Sequence, residues 1–143
     1  MNYFKQFVVV LVLVLSSCKE KEVLIESPYI WKSIDVTATA YNSVPSQTQG
    51  NPIIAAWGDS LKLEIPSIAV SRDLLALGIT HNTPVKIEGF DSIFLVKDKM
   101  NKRWRNRIDI FMGKDIKKAK KWGRKKICIE YGLPKANYLG VNP

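Results

Sequence analysis

The sequence predicts a mainly β protein, a small closed barrel with one or two short helices. Short segments that alternate apolar and polar residues recur from residue 30 onward. Turn residues separate them, and only one stretch holds a clear helical period. A closed barrel removes the exposed edges that a small open sheet would leave. The chain of 143 residues, 46% hydrophobic and 10% aromatic, suffices for one core and is too apolar for wholesale disorder.

Residues 33–41 (SIDVTATAY) place Ile34, Val36, Ala38 and Ala40 at every second position, the pattern of a half-buried strand. A loop rich in Ser, Gln, Pro and Gly covers 42–52, and 53–57 and 67–70 read as further short strands. Ser71 is placed to cap a brief helical turn over 72–77 that Gly78 stops. Strands follow at 84–88 and 92–96, joined by a turn at 89–91, and another at 106–112. Residues 114–122 form the clearest helix. Ile116, Ala119 and Trp122 make a narrow apolar stripe, Asp115 suits the first turn, and Gly123 suits the stop. The last strand is 125–131 (KKICIEY), with Cys128 expected as a buried, inert thiol, and 132–143 is expected to be a loose tail.

The N-terminus is organised differently. Lys5 precedes an unbroken apolar run over 7–15, too short to span a membrane but suited to the core of a signal peptide. Residues 1–17 therefore read as a signal. The sequence Leu15-Ser16-Ser17-Cys18 resembles the lipobox of bacterial lipoproteins, whose cysteine is diacylated before cleavage leaves it first in the chain. Cys18 is thus a candidate lipidation site, 18–29 a charged tether and 30–131 the barrel domain. An ordinary cleaved signal, with Cys18 a leftover thiol or disulfide partner, is the alternative. Lipidation implies a protein of the cell envelope, held to a bacterial membrane on its periplasmic side or at the cell surface.

Export also decides what the charge means. Lys and Arg number 22 against 13 Asp and Glu, a net +9, with most of the excess between residues 97 and 126. In a cytosolic chain this balance would suggest nucleic acid. An exported chain meets anionic headgroups or the carboxylates of wall peptides instead, unless the lysines merely solvate a helix face. Two cysteines and one histidine cannot supply a four-ligand zinc site, and no glycine-rich phosphate loop is present, so neither metal nor cofactor is expected. His81 reads as a surface turn residue.

Chemistry points to residues 96–112 (VKDKMNKRWRNRIDIFM), where Asp98 and Asp109 flank a basic, aromatic loop. In a strand, Ile108 and Ile110 point away from the face that carries Asp109. Asp109 then faces either solvent, paired with Arg105 or Arg107, or the mouth of a cleft.

A resemblance extends this reading. Thr37-Ala38-Thr39-Ala40-Tyr41, Ile68-Ala69-Val70, Leu77-Gly78 and Val85-Lys86-Ile87-Glu88-Gly89 resemble successive blocks of the 3D (Asp-Asp-Asp) domain family. The blocks Val96 to Asn101, Arg103-Trp104, Asn106 to Ile110, Ala119 and Trp122 to Lys125 continue it. The resemblance implies a six-stranded double-psi β-barrel acting on peptidoglycan glycan strands. In the lytic transglycosylase-like members, the aspartate matching Asp109 protonates the bond between N-acetylmuramic acid and N-acetylglucosamine. It then takes the proton of the muramic 6-hydroxyl as the anhydro ring closes. Asp98 would tune Asp109, Tyr41 and Trp104 would stack on sugars, and Arg105, Asn106 and Arg107 would supply polar contacts. Trp31, Trp57 and Trp122 are expected in the core. The third aspartate of the pattern falls at Ser71, with Asp73 two residues on, so either Asp73 substitutes from the adjacent turn, or the chain belongs to a branch with an altered cleft, or activity is lost. Two other uses of these residues are hydrolysis by paired carboxylates and non-catalytic binding of the cell wall.

Overall fold

The computed structural model describes residues 26–43 and 54–137. They form the expected mainly β barrel. Its strands are β1 (Tyr29–Tyr41), β2 (Ser67–Val70), β3 (Pro84–Ile87), β4 (Ile93–Lys99), β5 (Arg107–Phe111) and β6 (Lys125–Pro134), with one α-helix, α1 (Ile116–Trp122). The signal and lipobox residues, Cys18 included, lie outside the described residues, as do 44–53 and 138–143.

The sheet closes in the order β1-β5-β2-β4-β3-β6. Two neighbouring pairs are parallel, β1 with β5 and β2 with β4, and the others are antiparallel. Exchanging β1 with β4, β2 with β5 and β3 with β6 leaves this ring unchanged and swaps the two parallel pairs. The barrel is therefore two interlocked three-stranded units, which is the double-psi arrangement.

The core follows from strict alternation. Val36 and Ala38, Ile68 and Val70, Val85 and Ile87, Phe94 and Val96, Ile108 and Ile110, and Ile127 and Ile129 point inward. The residues between them face outward. This overturns the expectation for Cys128. Ile127 and Ile129 take the core positions of β6, so the thiol between them is exposed.

Other boundaries differ for equally local reasons. Of the expected strand 53–57, the described residues 54–57 form none; Ile54 makes only an isolated bridge to Ser60, closing a tight turn. β1 begins at Tyr29 and β6 runs on to Pro134, because the two pair continuously from Tyr29–Pro134 to Ala38–Lys125. The Ser71 side chain makes no capping hydrogen bond to the 3-10 helix Arg72–Leu77, although Gly78 ends that helix at φ 87° as expected. In α1 the apolar stripe shrinks to buried Ala119 and half-buried Trp122, since Ile116 is exposed; Asp115 caps the helix by accepting the Lys118 amide proton at 2.9 Å. Of the other tryptophans expected in the core, Trp57 packs against it from outside and Trp31 lies under the Lys86 ammonium at 4.1 Å.

Candidate functional site

The strand register builds one row of side chains across the outside of the barrel. Thr39 pairs with Asp109, Asp109 with Ala69, and Ala69 with Asp98. Inter-strand spacing puts the two aspartate backbones about 10 Å apart, with only the methyl of Ala69 between them. Asp98 reaches this row through a β-bulge. Ile68 faces Val96 but Ala69 faces Asp98, so Lys97 is an extra residue. Unbroken alternation from Phe94 and Val96 would point Asp98 inward; the bulge shifts the phase and turns it to the outer face.

Over this row lies a cavity of about 210 Å³ lined by Tyr41, Ala69, Asp98, Met100, Trp104 and Asp109. The loop after β4 forms one wall. It is folded by hydrogen bonds from the Trp104 amide to the Asn101 carbonyl (3.0 Å) and from the Arg103 amide to the Asn101 carboxamide oxygen (3.1 Å). The 54–60 turn abuts Asp98, whose Oδ1 accepts the Ala56 amide proton at 2.7 Å and that of Lys99 at 2.8 Å. The turn's other end is held by Asp59, which bonds the His81 ring and accepts from Lys97 Nζ at 3.1 Å. Both contacts, Lys97 first, hold the Asp59 carboxyl below its usual range.

Asp109 is the perturbed acid of the row. Burial pushes its carboxyl up to about 6. The Thr39 hydroxyl, donating to Asp109 Oδ1 at 3.0 Å, and the Arg107 charge pull the other way. The charge of Asp98 adds a smaller upward push. Tyr41 is held protonated well above its ordinary range by burial and then by the two carboxylates. Its hydroxyl has no protein partner among the described residues. The cavity thus offers a protonatable carboxyl, a phenolic donor and aromatic walls, with Asp98 already committed to two backbone amides.

The structure therefore brings Asp109, Asp98, Tyr41 and Trp104 together. It does not bring Arg105, Asn106 and Arg107 into the same lining. Arg107 stacks on Trp104 (4.0 Å), as does Arg103 (4.8 Å), so guanidinium groups already cover part of that indole. Asn106, at φ 46°, makes the turn into β5 and lines a different cavity. Arg105 is exposed, and its charge acts on Asp73.

Asp73 does not replace the missing third aspartate in the cavity. Its Oδ2 accepts the Asn106 amide proton at 2.8 Å, and Ser71 Oγ accepts that of Arg107 at 2.9 Å. Burial alone would raise Asp73, but the Asn106 amide, the Ser71 hydroxyl and the Arg105 charge hold it below its usual value. Ser71 and Asp73 clamp the start of β5, two residues before Asp109. This support was not visible in the sequence, because nothing in the spacing of Ser71 and Asp73 shows which distant amides they accept.

No family model matches the chain, and no curated protein matches it. Among solved structures it is similar to an expansin of Clavibacter michiganensis in its apo form, at 18% identity and a TM-score of 0.46. It is also similar to a point mutant of that expansin in complex with cellohexaose, at 17% identity and a TM-score of 0.45. Each alignment covers 71% of this chain and 50% of the expansin, so the chain spans half the length of the proteins it matches.

Proposed function

We propose that the cavity over Asp109 binds a cell-wall polysaccharide, and that Asp109 cleaves peptidoglycan glycan there as a lone acid and base. The observation that carries this reading is the Asp109 carboxyl itself, raised to about 6 by burial while lining an open groove. A general acid works best when its pKa lies near the operating pH. Protonated Asp109 donates to the bridging oxygen between N-acetylmuramic acid and N-acetylglucosamine, and the C–O bond to the anomeric carbon breaks. The carboxylate then accepts the proton of the muramic 6-hydroxyl, whose oxygen closes on that carbon. One carboxyl is regenerated, and no second acid is required. Asp98 suits a supporting role, since both its contacts are backbone amides and its charge is the smallest of the four influences on Asp109.

The pH profile tests this. At pH 7 a group titrating at about 6 is roughly one-tenth protonated. Release of anhydro-muropeptides by the purified domain is expected to rise about fivefold between pH 7 and pH 6, and to flatten below pH 5. Reducing ends in place of anhydro ends would point to hydrolysis instead. The second reading is a non-catalytic module that binds wall polysaccharide, and the minor protonated fraction of Asp109 at neutral pH favours it. A domain that sediments with cell walls at every pH and releases no fragments fits only that reading.

The lipobox reading of Cys18 places the barrel at a bacterial membrane through a lipid anchor. Several acyl chains contribute about 0.8 kcal/mol per buried methylene, enough for stable attachment. The expressed protein is expected to incorporate labelled fatty acid, and Cys18→Ala to incorporate none. A wild-type chain that takes up no label argues against acylation.

A further inference from the structure

A second cavity, of about 480 Å³, lies on the outer faces of β1 and β6 and takes no part in the chemistry above. Asp35, Thr37, Glu88, Asn106, Lys126 and Cys128 line it. Its volume is in the range of pockets that hold ligands.

The register orders its charges. Asp35 pairs with Cys128, and Glu88 follows Ile87, whose partner is Ile129. Two carboxylates therefore flank the thiol in one row. Two residues further along β1, Thr37 pairs with Lys126, giving a basic row about 7 Å away that Lys126 alone supplies to this cavity, since Arg107 on the other side of Thr37 stacks on Trp104. Two residues further again is Thr39, paired with Asp109. The outward face of β1 thus runs from an acidic row, through a basic row, to the Asp109 site.

Among the described residues, neither carboxylate nor the Lys126 ammonium makes an ion pair. A neutral glycan would gain little from separated charges of both signs. A polyanion would be repelled by Asp35 and Glu88. A zwitterion matches, with an ammonium at the acidic row and a carboxylate at the basic one.

We propose that this cavity binds a peptide substituent carrying both a free ammonium and a carboxylate, borne by the same polymer whose glycan occupies the Asp109 groove. The proposal rests on the polysaccharide reading of that groove and adds to it a preference for peptide-substituted strands.

The test measures binding of three soluble probes to the full mature chain. They are murein glycan bearing tripeptide stems that end in lysine, the same glycan with the lysine amine acetylated, and the bare glycan. Because exposed ion pairs are individually weak, acetylation is expected to lower affinity about fivefold. Asp35→Asn with Glu88→Gln should cause the same loss and abolish the effect of acetylation, while the bare glycan binds unchanged. These side chains are exposed, so the substitutions spare the core. Equal affinity for free and acetylated stems, with the bare glycan still bound, overturns this inference alone. Failure of the bare glycan to bind overturns the groove reading beneath it.

Discussion

Asp109→Asn is expected to cut release of murein fragments by about 10²- to 10⁴-fold, the usual contribution of a positioned acid and base, while leaving affinity for the glycan within about twofold. Asparagine keeps the shape of the side chain, and its carboxamide oxygen accepts the same Thr39 hydroxyl that now bonds Oδ1 at 3.0 Å. What it lacks is the proton. Mass spectrometry of the products and sedimentation with purified walls check the two halves separately. A variant that releases anhydro fragments at the wild-type rate removes Asp109 from the chemistry.

The same substitution has an opposite effect on stability, and its sign follows from linkage. The native carboxyl titrates at about 6 against an ordinary 3.8. Above pH 6 both folded and unfolded chains are ionised, and the folded one carries a partly desolvated charge. Below about pH 4 both are protonated and that cost is gone. Asparagine never carries it. At pH 7 the variant should therefore be more stable than wild type, by up to about 3 kcal/mol. The gain should fade as the pH falls from 6 to 4. Urea titrations at pH 7 and pH 4 measure it. A loss of activity coupled to a gain in stability is the signature of a group retained for its chemistry rather than its packing.

The parts of this site that were legible in the sequence are those set by strict alternation. Ile108 and Ile110 enter the core, so Asp109 faces outward, and the same parity puts Thr39 and Tyr41 beside it on β1. The sequence marks Asp98 as a candidate but leaves its geometry illegible. Alternation from Phe94 and Val96 points it inward, and the bulge that shifts the phase leaves no mark in hydropathy. The support given by Ser71 and Asp73 was hidden for a related reason, because it uses hydrogen bonds to backbone 33 or more residues away.

Strand ends failed where alternation stops carrying information. Gly132 has no side chain to continue the pattern of β6, and a Cβ there would lie 3.1 Å from Tyr29 and 3.0 Å from Pro84. The strand nevertheless runs on, because β1 supplies the pairing. Conversely, 54–57 has suitable residues but finds no strand partner among the described residues beyond Ser60. Pairing partners, rather than local pattern, decide both cases.

Ile68→Ala is expected to destabilise the barrel by about 3 kcal/mol, within the range found when a buried isoleucine or leucine is truncated. Ile68 is fully buried in β2, a strand of four residues hydrogen-bonded on one edge to β4 and on the other to β5. Little else in so short a strand compensates for the cavity, since its side-chain anchors in the core are Ile68 and Val70. A domain of this size has about 5–15 kcal/mol in total, so the loss should lower the urea midpoint markedly. Ile93→Ala, at a position 50% exposed, is the control and should cost under about 0.5 kcal/mol. The consequence for function follows from the next residue. Ala69 spaces Asp109 from Asp98, so slack in β2 should blur the groove before the barrel unfolds. Glycan affinity of Ile68→Ala should then fall at temperatures where its circular dichroism is still native. If affinity and fold are lost together, β2 acts on the site only through global stability.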